Sequence, residues 1–436
     1  MKRVIVIGSG FSALSASCFL ARAGFRVQVL ERHSQAGGRA RVMHREGFTF
    51  DMGPSWYWMP DVFDRFFRQF GKETSDYYKL VRLNPSYRVF FEGGEAFDVP
   101  ADWNELAAVF ESWEPGAAAR LSDFLKEAET KYREGMGNLV FKPGKSIFEF
   151  TSWATLKGLL QLNLLSDFQR HIKKYFRDPR ILKILEFPVL FLGATPDKTP
   201  ALYSLMNFAD LRLGTWYPMD GMNQIVKAMV SLAGSLGVEF EYEADVHRIA
   251  VDGSGNARTV ETSKGNFEAD VVLAGADYAH VERQLLEPRW RSYSDAYWES
   301  RVMAPSSLLF YCGFDGKTQN LRHHNLFFDE DFTDHARNIY NKPGWPAKPL
   351  FYLSAPSLTD PGVAPPGKEN LFFLIPTAPG LMENEEICDR YFDYMAAKTE
   401  RYTGNAISRK TLFRIPYGAS HFVHDYHALK GNAYGL

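Results

Sequence analysis

Cysteine is scarce: Cys18, Cys312 and Cys388 are the only three in 436 residues. They are odd in number, far apart and never in CxxC spacing. That excludes a disulfide framework and a cysteine-built zinc site. Long apolar runs are also missing, since none reaches the roughly 18 residues that a bilayer-crossing helix needs. Charge of one sign is absent too. Fifty Lys and Arg face 52 Asp and Glu, a formal net charge of −2, which argues against a general nucleic-acid binder. The histidines stand in no acid-rich metal spacing. There is no internal repeat and no low-complexity tract. The chain opens directly on a strand, which leaves no room for a leader, so the reducing cytoplasm is the expected compartment.

What is present is apolar and aromatic. Hydrophobic residues make up 45% and aromatics 15%, enough for a sizeable core and suited to lining a large apolar ligand. The length exceeds the roughly 250–300 residues at which single cores stop growing, so two or more lobes are expected.

The first forty residues organise the rest. Residues 4–7 are a run of branched apolar side chains, as in a buried parallel strand. Gly8-Ser9-Gly10-Phe11-Ser12-Ala13 follows at once. Gly8 permits a tight turn, Gly10 lets backbone approach a pyrophosphate, and Ala13 keeps helix and strand close. Residues 14–23 read as a helix aimed at those phosphates, and residues 26–30 as a second strand. Glu31 ends it about twenty residues past the glycines, where an acid holds a ribose hydroxyl. Its charge would repel a 2′-phosphate, leaving FAD or NAD. Gly37-Gly38-Arg39 favours FAD: two glycines let the chain pass close to a long dinucleotide, and Arg39 can reach its phosphates. The blander alternative is an ordinary turn.

Gly47-Phe48-Thr49-Phe50-Asp51-Met52-Gly53-Pro54-Ser55 completes the set. GxGxxA, GGR and GFxFDxGPS together resemble the flavin-dependent amine oxidase and phytoene desaturase superfamily. The segment FPVLFLGATPDKTPALYSLM, ending at Met206, and Gly214 to Met222, GTWYPMDGM, resemble FxGxxPxxxPAxY and GxWYPxGGM of bacterial phytoene desaturases. Asp220 stands where the family has the first glycine of a pair, and Asp tolerates positive φ less well than Gly. The resemblance implies an α/β fold: a Rossmann-type FAD-binding domain interleaved with a mixed-sheet substrate domain and a helical insertion. It places the isoalloxazine by Gly53, Pro54 and Ser55, and the adenine against the backbone at Val246.

The chain divides accordingly. Residues 1–86 form the first FAD-binding part and 87–102 a hairpin of the substrate domain. Residues 103–208 form the helical insertion, 209–290 the second FAD-binding part, and 291–412 the rest of the substrate domain. Residues 413–436 open a C-terminal FAD-binding segment. Residues 267–275, 306–314 and 370–377 read as strands, and 60–70, 223–236 and 385–403 as helices. The family continues with a glycine- and proline-rich strand, turn and helix after the RGxxxGL-like run that ends here at Leu436. A truncated chain with weakened FAD retention is therefore expected.

Within the insertion, Trp153, Leu156, Leu160, Leu164, Phe168, Ile172 and Phe176 fall on one helical face, or on two helices in series. Lys157, Arg170, Lys173, Lys174, Arg177, Arg180 and Lys183 stand beside it. This pattern fits a peripheral membrane contact, on the inner face of the membrane. It equally fits a helix packed on the core with a solvated basic side.

Trp56, Tyr57 and Trp58 either line a substrate path or form a core cluster. His323-His324 and His421/His424/His427 suit surface or structural roles better than catalytic ones. Asp51, Glu149 and Asp277 are acids near the family segments, and none stands out as a proton acceptor.

The resemblance implies stepwise FAD-dependent desaturation of a C40 carotenoid, phytoene towards lycopene, with oxygen or a quinone reoxidising the flavin. A hydrophobic polyene offers no polar handle, so recognition rests on shape and apolar burial. A carotenoid isomerase and a desaturase of another carotenoid share this framework. A flavin-free lipid-binding relative is the alternative of another class. An amine oxidase is weaker, since no motif specifies an amine.

Overall fold

The computed structural model describes residues 1–137, 139–142, 145–146, 166–190 and 194–435. Glu149, Lys157, Gly193 and the Trp153, Leu156, Leu160 and Leu164 part of the amphipathic face lie outside them.

A four-stranded parallel sheet carries the first motif. Its order is Val271–Ala274, Arg3–Ile7, Arg26–Leu30, Glu239–Glu241. Alternation sends Val4 and Val6 into a core with the helices Phe11–Arg22 and Asn223–Ser235. Ile5 and Ile7 face a second core beneath a three-stranded antiparallel sheet, Val246–Val251, Ala257–Thr262 and Gly265–Glu268. Both faces are covered, which is why the strand reads as a continuous apolar run.

The single strand expected over 267–275 is two. Gly265–Glu268 ends the antiparallel sheet, and Val271–Ala274 joins the parallel one. The chain turns between them at Asp270, whose carboxylate accepts the Arg3 backbone N–H at 2.8 Å. The first helix begins at Phe11 rather than Leu14, because Gly10 already serves as its N-cap.

The second lobe is built on a seven-stranded mixed sheet. Its order is Thr411–Tyr417, Ser306–Phe314, Glu369–Thr377, Phe351–Ser354, His324–Phe328, Tyr87–Phe91, Ala96–Val99. Only the His324–Phe328 and Tyr87–Phe91 pair runs parallel. Along Ser306–Phe314, Leu308, Phe310, Cys312 and Phe314 pack with the helix Glu385–Thr403. Leu309 and Tyr311 face the opposite way, into a large core shared with the helical insertion.

In that insertion, Phe168–Ile172 and Pro179–Leu190 are separate helices. Phe168, Ile172 and Phe176 are wholly buried in the shared core. This part of the amphipathic face is therefore spent on packing and cannot touch a membrane. Several neighbouring cations are engaged as well. Arg170 pairs with Asp167, Arg180 with Asp178 and Glu95, and Lys183 donates to the Phe328 carbonyl. Among the described residues, no helix is long and apolar enough to cross a membrane.

Candidate cofactor and substrate site

The glycine turn is assembled by close approach. Gly8 sits at φ +87°, and its N–H donates to the Leu30 carbonyl at 2.8 Å. A Cβ on Gly275 would lie 2.6 Å from the Ala13 methyl, so both must be small for the helix to seat on the sheet. A Cβ on Gly10, by contrast, would meet nothing within 4 Å. That opening lies at the N-terminus of Phe11–Arg22, whose first turn carries no acid. The positive end of the helix dipole is thus left for an anion.

Gly37, Gly38 and Arg39 fold against this turn. The Gly37 N–H donates to the Ser9 carbonyl at 3.0 Å, and a Cβ on Gly38 would lie 3.3 Å from the Gly10 Cα. Glu31 is buried beside them. Its Oε2 accepts from the Ser9 N–H at 3.0 Å and from the Ser9 hydroxyl; its Oε1 accepts from the His33 N–H at 2.9 Å. The Ala244 N–H donates to the Glu31 carbonyl at 2.9 Å, which brings Val246, buried two residues on, to the same end of the sheet.

Arg39 holds the charge of the site. Burial pulls its guanidinium down from the ordinary arginine value, against the opposing pull of the Asp277 carboxylate. One terminal nitrogen donates to the Asn432 carbonyl at 3.4 Å, and the Tyr426 ring lies 5.5 Å below. Its Nε is buried with no partner. An unpaired guanidinium N–H beside a glycine turn and a helix N-terminus fits a dinucleotide pyrophosphate. Gly53 meets the same loop: a Cβ there would fall 2.0 Å from the Arg39 carbonyl oxygen. Gly8, Gly10, Glu31, Gly37, Gly38, Arg39 and Gly53 thus lie in segments that meet at the Ser9 turn, while Ala13 seats the helix on the sheet and Val246 is buried beyond Ala244. Pro54 and Ser55 lead away from that turn, towards the second lobe.

Asp51 ties the lobes together. Its carboxylate accepts the Met222 and Asn223 N–H groups at 2.8 and 3.0 Å, capping the helix Asn223–Ser235. Burial pushes it up to about 6 despite those bonds. Asp220 does take positive φ, +70°, and its N–H is held by Asp360 at 2.6 Å. A small cavity opens beside Asp51 and Ser55, lined by the polar Tyr217, His323, Ser354 and Asn370 and by the apolar Phe50 and Phe372. It has room for one or two waters. The Tyr217 and Ser354 hydroxyls at this cavity are buried and make no hydrogen bond.

Beyond Ser55 the aromatic run splits. Tyr57 turns into the dinucleotide lobe, its hydroxyl 2.8 Å from that of Tyr78. Trp56 and Trp58 enter the large core of the second lobe, where Trp56 lies within 5.1–5.6 Å of Phe187, Tyr87 and Tyr352. His323 and His324 are buried here too, so a surface role is excluded. His421 and His424 lie on the helix Ala419–Tyr426, where His421 pairs with Glu383 and His424 with Asp425. His427, just beyond, stacks on His280 at 3.9 Å.

Sequence reasoning missed the C-terminal clasp. Asp425 binds Arg41 at 2.6 Å and the Arg32 guanidinium donates to the His424 carbonyl at 2.6 Å, laying residues 424–432 over the arginines near the opening. It also missed Asp210, buried and pushed up to about 7, which accepts from the Tyr87 hydroxyl at 2.8 Å. Nothing in the local pattern around either marks it. Among the described residues, no group of three metal-binding side chains exists.

Comparison with known proteins shows the family. The model of the flavin containing amine oxidoreductase family matches residues 12–417. A carotenoid 3,4-desaturase of Haloarcula japonica is 41% identical over 99% of this chain and 88% of its own length. A zeta-carotene-forming phytoene desaturase of Myxococcus xanthus is 33% identical over 86% of this chain and 72% of its own. The fold is shared with the crystal structure of an oxidoreductase from Methanosarcina mazei. The TM-score is 0.63 at 16% identity, covering 95% of this chain and 87% of that one.

Proposed function

Since the chain belongs to the flavin containing amine oxidoreductase family, we propose that it is an FAD-dependent carotenoid desaturase that acts at the 3,4 position of an acyclic polyene. The observation that carries this is the 41% identity, over 99% of the chain, to a carotenoid 3,4-desaturase. The cofactor is FAD, which when bound supplies the acceptor for a hydride leaving carbon. The chain's own part is positioning. Gly10 and the first helix face the pyrophosphate, Arg39 neutralises it, Glu31 holds the ribose, and backbone at Val246 meets the adenine. Gly53, Pro54 and Ser55 border the ring system.

The substrate side is apolar. The core around Trp56, Tyr87, Phe187 and Tyr352 suits a polyene held by shape, at about 25 cal/mol per Å² of buried surface. A second reading is desaturation of phytoene towards lycopene, favoured by the relatives named phytoene desaturases at 28–33% identity. Oxygen or a quinone is proposed as the electron acceptor.

A lipid-soluble substrate also supports a peripheral membrane contact, on the inner face of the membrane. Val140 and Phe141 are 56% and 63% exposed and border the amphipathic region. They are the proposed point of contact.

The test is expression in two sets of cells, one accumulating phytoene and one accumulating lycopene. The leading reading expects a product two hydrogens lighter and redder from lycopene only. Coloured product from phytoene selects the second reading. Purified protein without flavin absorbance would count against both and favour a lipid-binding relative.

A further inference from the structure

His324 does not fit the core that holds it. It is 0% exposed, and its ring lies flat on the Trp56 indole, with centroids 4.0 Å apart and planes 12° off parallel. Its Nδ1 shares a 2.6 Å hydrogen bond with the Tyr352 hydroxyl. Its Nε2 is buried and has no partner. Leaving a buried polar atom unpaired carries a desolvation cost that nothing here repays. The stack also places it next to the loop that carries Gly53 to Ser55.

The other side of Tyr352 is polar. The Ser55 hydroxyl stands beside its phenol. Ser55 also lines the small cavity that holds Ser354, His323, Tyr217 and Asp51.

We propose that Nε2 of His324 accepts the proton a polyene loses as its new double bond forms, and that Tyr352 and Ser55 pass that proton to the cavity at Asp51. The proposal rests on the carotenoid-desaturase reading above. Two C–H bonds on adjacent carbons break. One hydrogen would leave with its electron pair as a hydride, for which bound FAD would supply the acceptor. The other bond's pair stays on carbon as the second bond of the alkene, and its proton goes to Nε2. The imidazolium then gives its Nδ1 proton to the Tyr352 oxygen, while the phenol proton moves to a serine hydroxyl. His324 returns to neutral with its proton shifted to Nε2, and a ring turn or the reverse relay resets it.

Burial and the neighbouring His323 hold His324 far below the ordinary histidine value, so the ring rests neutral, with one nitrogen bare. Asp210 is the rival base, reaching the same cluster through Tyr87. Its oxygens already accept from Tyr87 at 2.8 Å and Thr215 at 3.4 Å, which makes it an anchor.

Two measurements test this. Histidine-selective ¹⁵N NMR of the FAD-loaded full chain, with the His324 signal identified by its loss in His324→Gln, reads which ring nitrogen is bare. A bare Nε2 is expected in the resting protein; a proton fixed there overturns the proposal without reference to any substrate. In lycopene-bearing liposomes, wild-type conversion first tests the functional reading. His324→Gln should then bind lycopene as tightly as wild type, by tryptophan quenching, yet form product at least about 10²-fold more slowly. A variant that keeps its rate overturns the proposal. Should Gln not fold, His324→Phe keeps the stack on Trp56 and replaces it in both measurements. If the wild type converts no carotenoid, the functional reading fails, and the NMR result alone judges the state of His324.

Discussion

Two glycines of the site separate folding from binding. At Gly53 a methyl would fall 2.0 Å from the Arg39 carbonyl oxygen, a backbone atom that cannot step aside. Gly53→Ala should destabilise the fold by about 3 kcal/mol, the upper range for overpacking, and lower the thermal midpoint. At Gly10 the same methyl meets nothing. Gly10→Ala should melt like wild type, yet bind FAD at least about tenfold more weakly, because the methyl takes the space left for the pyrophosphate. Melting curves and flavin titrations of the two variants check both statements. Asp210 makes a third residue-scale prediction. Burial pushes it up to about 7 from 3.8, against donations from Tyr87 and Thr215. The folded state therefore keeps this proton to higher pH than the unfolded one. Its stabilising effect is full below 3.8 and is lost as pH rises through about 7. Asp210→Asn cannot titrate, so its stability relative to wild type should improve steadily from about pH 4 to about pH 8. A denaturant series at both ends that shows a constant gap would contradict this.

Among the elements, the turn into the helix Asn223–Ser235 joins the two lobes. Asp51 caps the helix, and Asp360 grips the turn at the Asp220 N–H. Asp220 pays for this with φ +70°, which glycine adopts freely. Asp220→Gly should shift the urea midpoint upward by about 1 kcal/mol of stability. Asp360→Ala should shift it downward, since the turn loses its acceptor. The insertion is held in a comparable way. Lys131, on the helix Ala117–Gly137, is fully buried and donates to Glu127 at 2.7 Å, and to the Ala201 carbonyl and Ser204 hydroxyl at 3.1 Å each. Burial pulls this lysine below its ordinary value, and the Glu127 carboxylate opposes that pull. Such a charge ties the helix to residues 201–204 at a point where an apolar side chain would make no such bond.

Across the whole molecule, the proposed membrane contact narrows to the exposed end of the insertion. Phe168, Ile172 and Phe176 are consumed by the core, whereas Phe141 stands 63% exposed under the Arg65 guanidinium. Burying a phenylalanine in lipid contributes about 1.5–3 kcal/mol. Phe141→Glu should therefore weaken sedimentation with anionic liposomes at least about tenfold while leaving the melt unchanged. Undiminished sedimentation would place any contact elsewhere.

The dinucleotide half of this architecture is written locally. Strand, glycine turn, helix and terminal acid lie within some thirty consecutive residues, where each spacing has one physical meaning. Residues such as Glu31 and Arg39 could be picked out for that reason, and the structure brings the segments that carry them against Ser9. The second lobe was legible only as elements. Ser306–Phe314 is recognisable as a strand, but its neighbours come from sixty and a hundred residues away. The break at Asp270, the burial of the histidine pair, and the clasp of residues 424–432 over Arg39 and Arg41 depend on such long-range pairing. Residue types and their spacing determined that a flavin fold is present and where its cofactor turn lies. Only tertiary packing decided which polar atoms are buried and which of them remain unpaired, because burial depends on everything that surrounds a side chain and no local pattern records it.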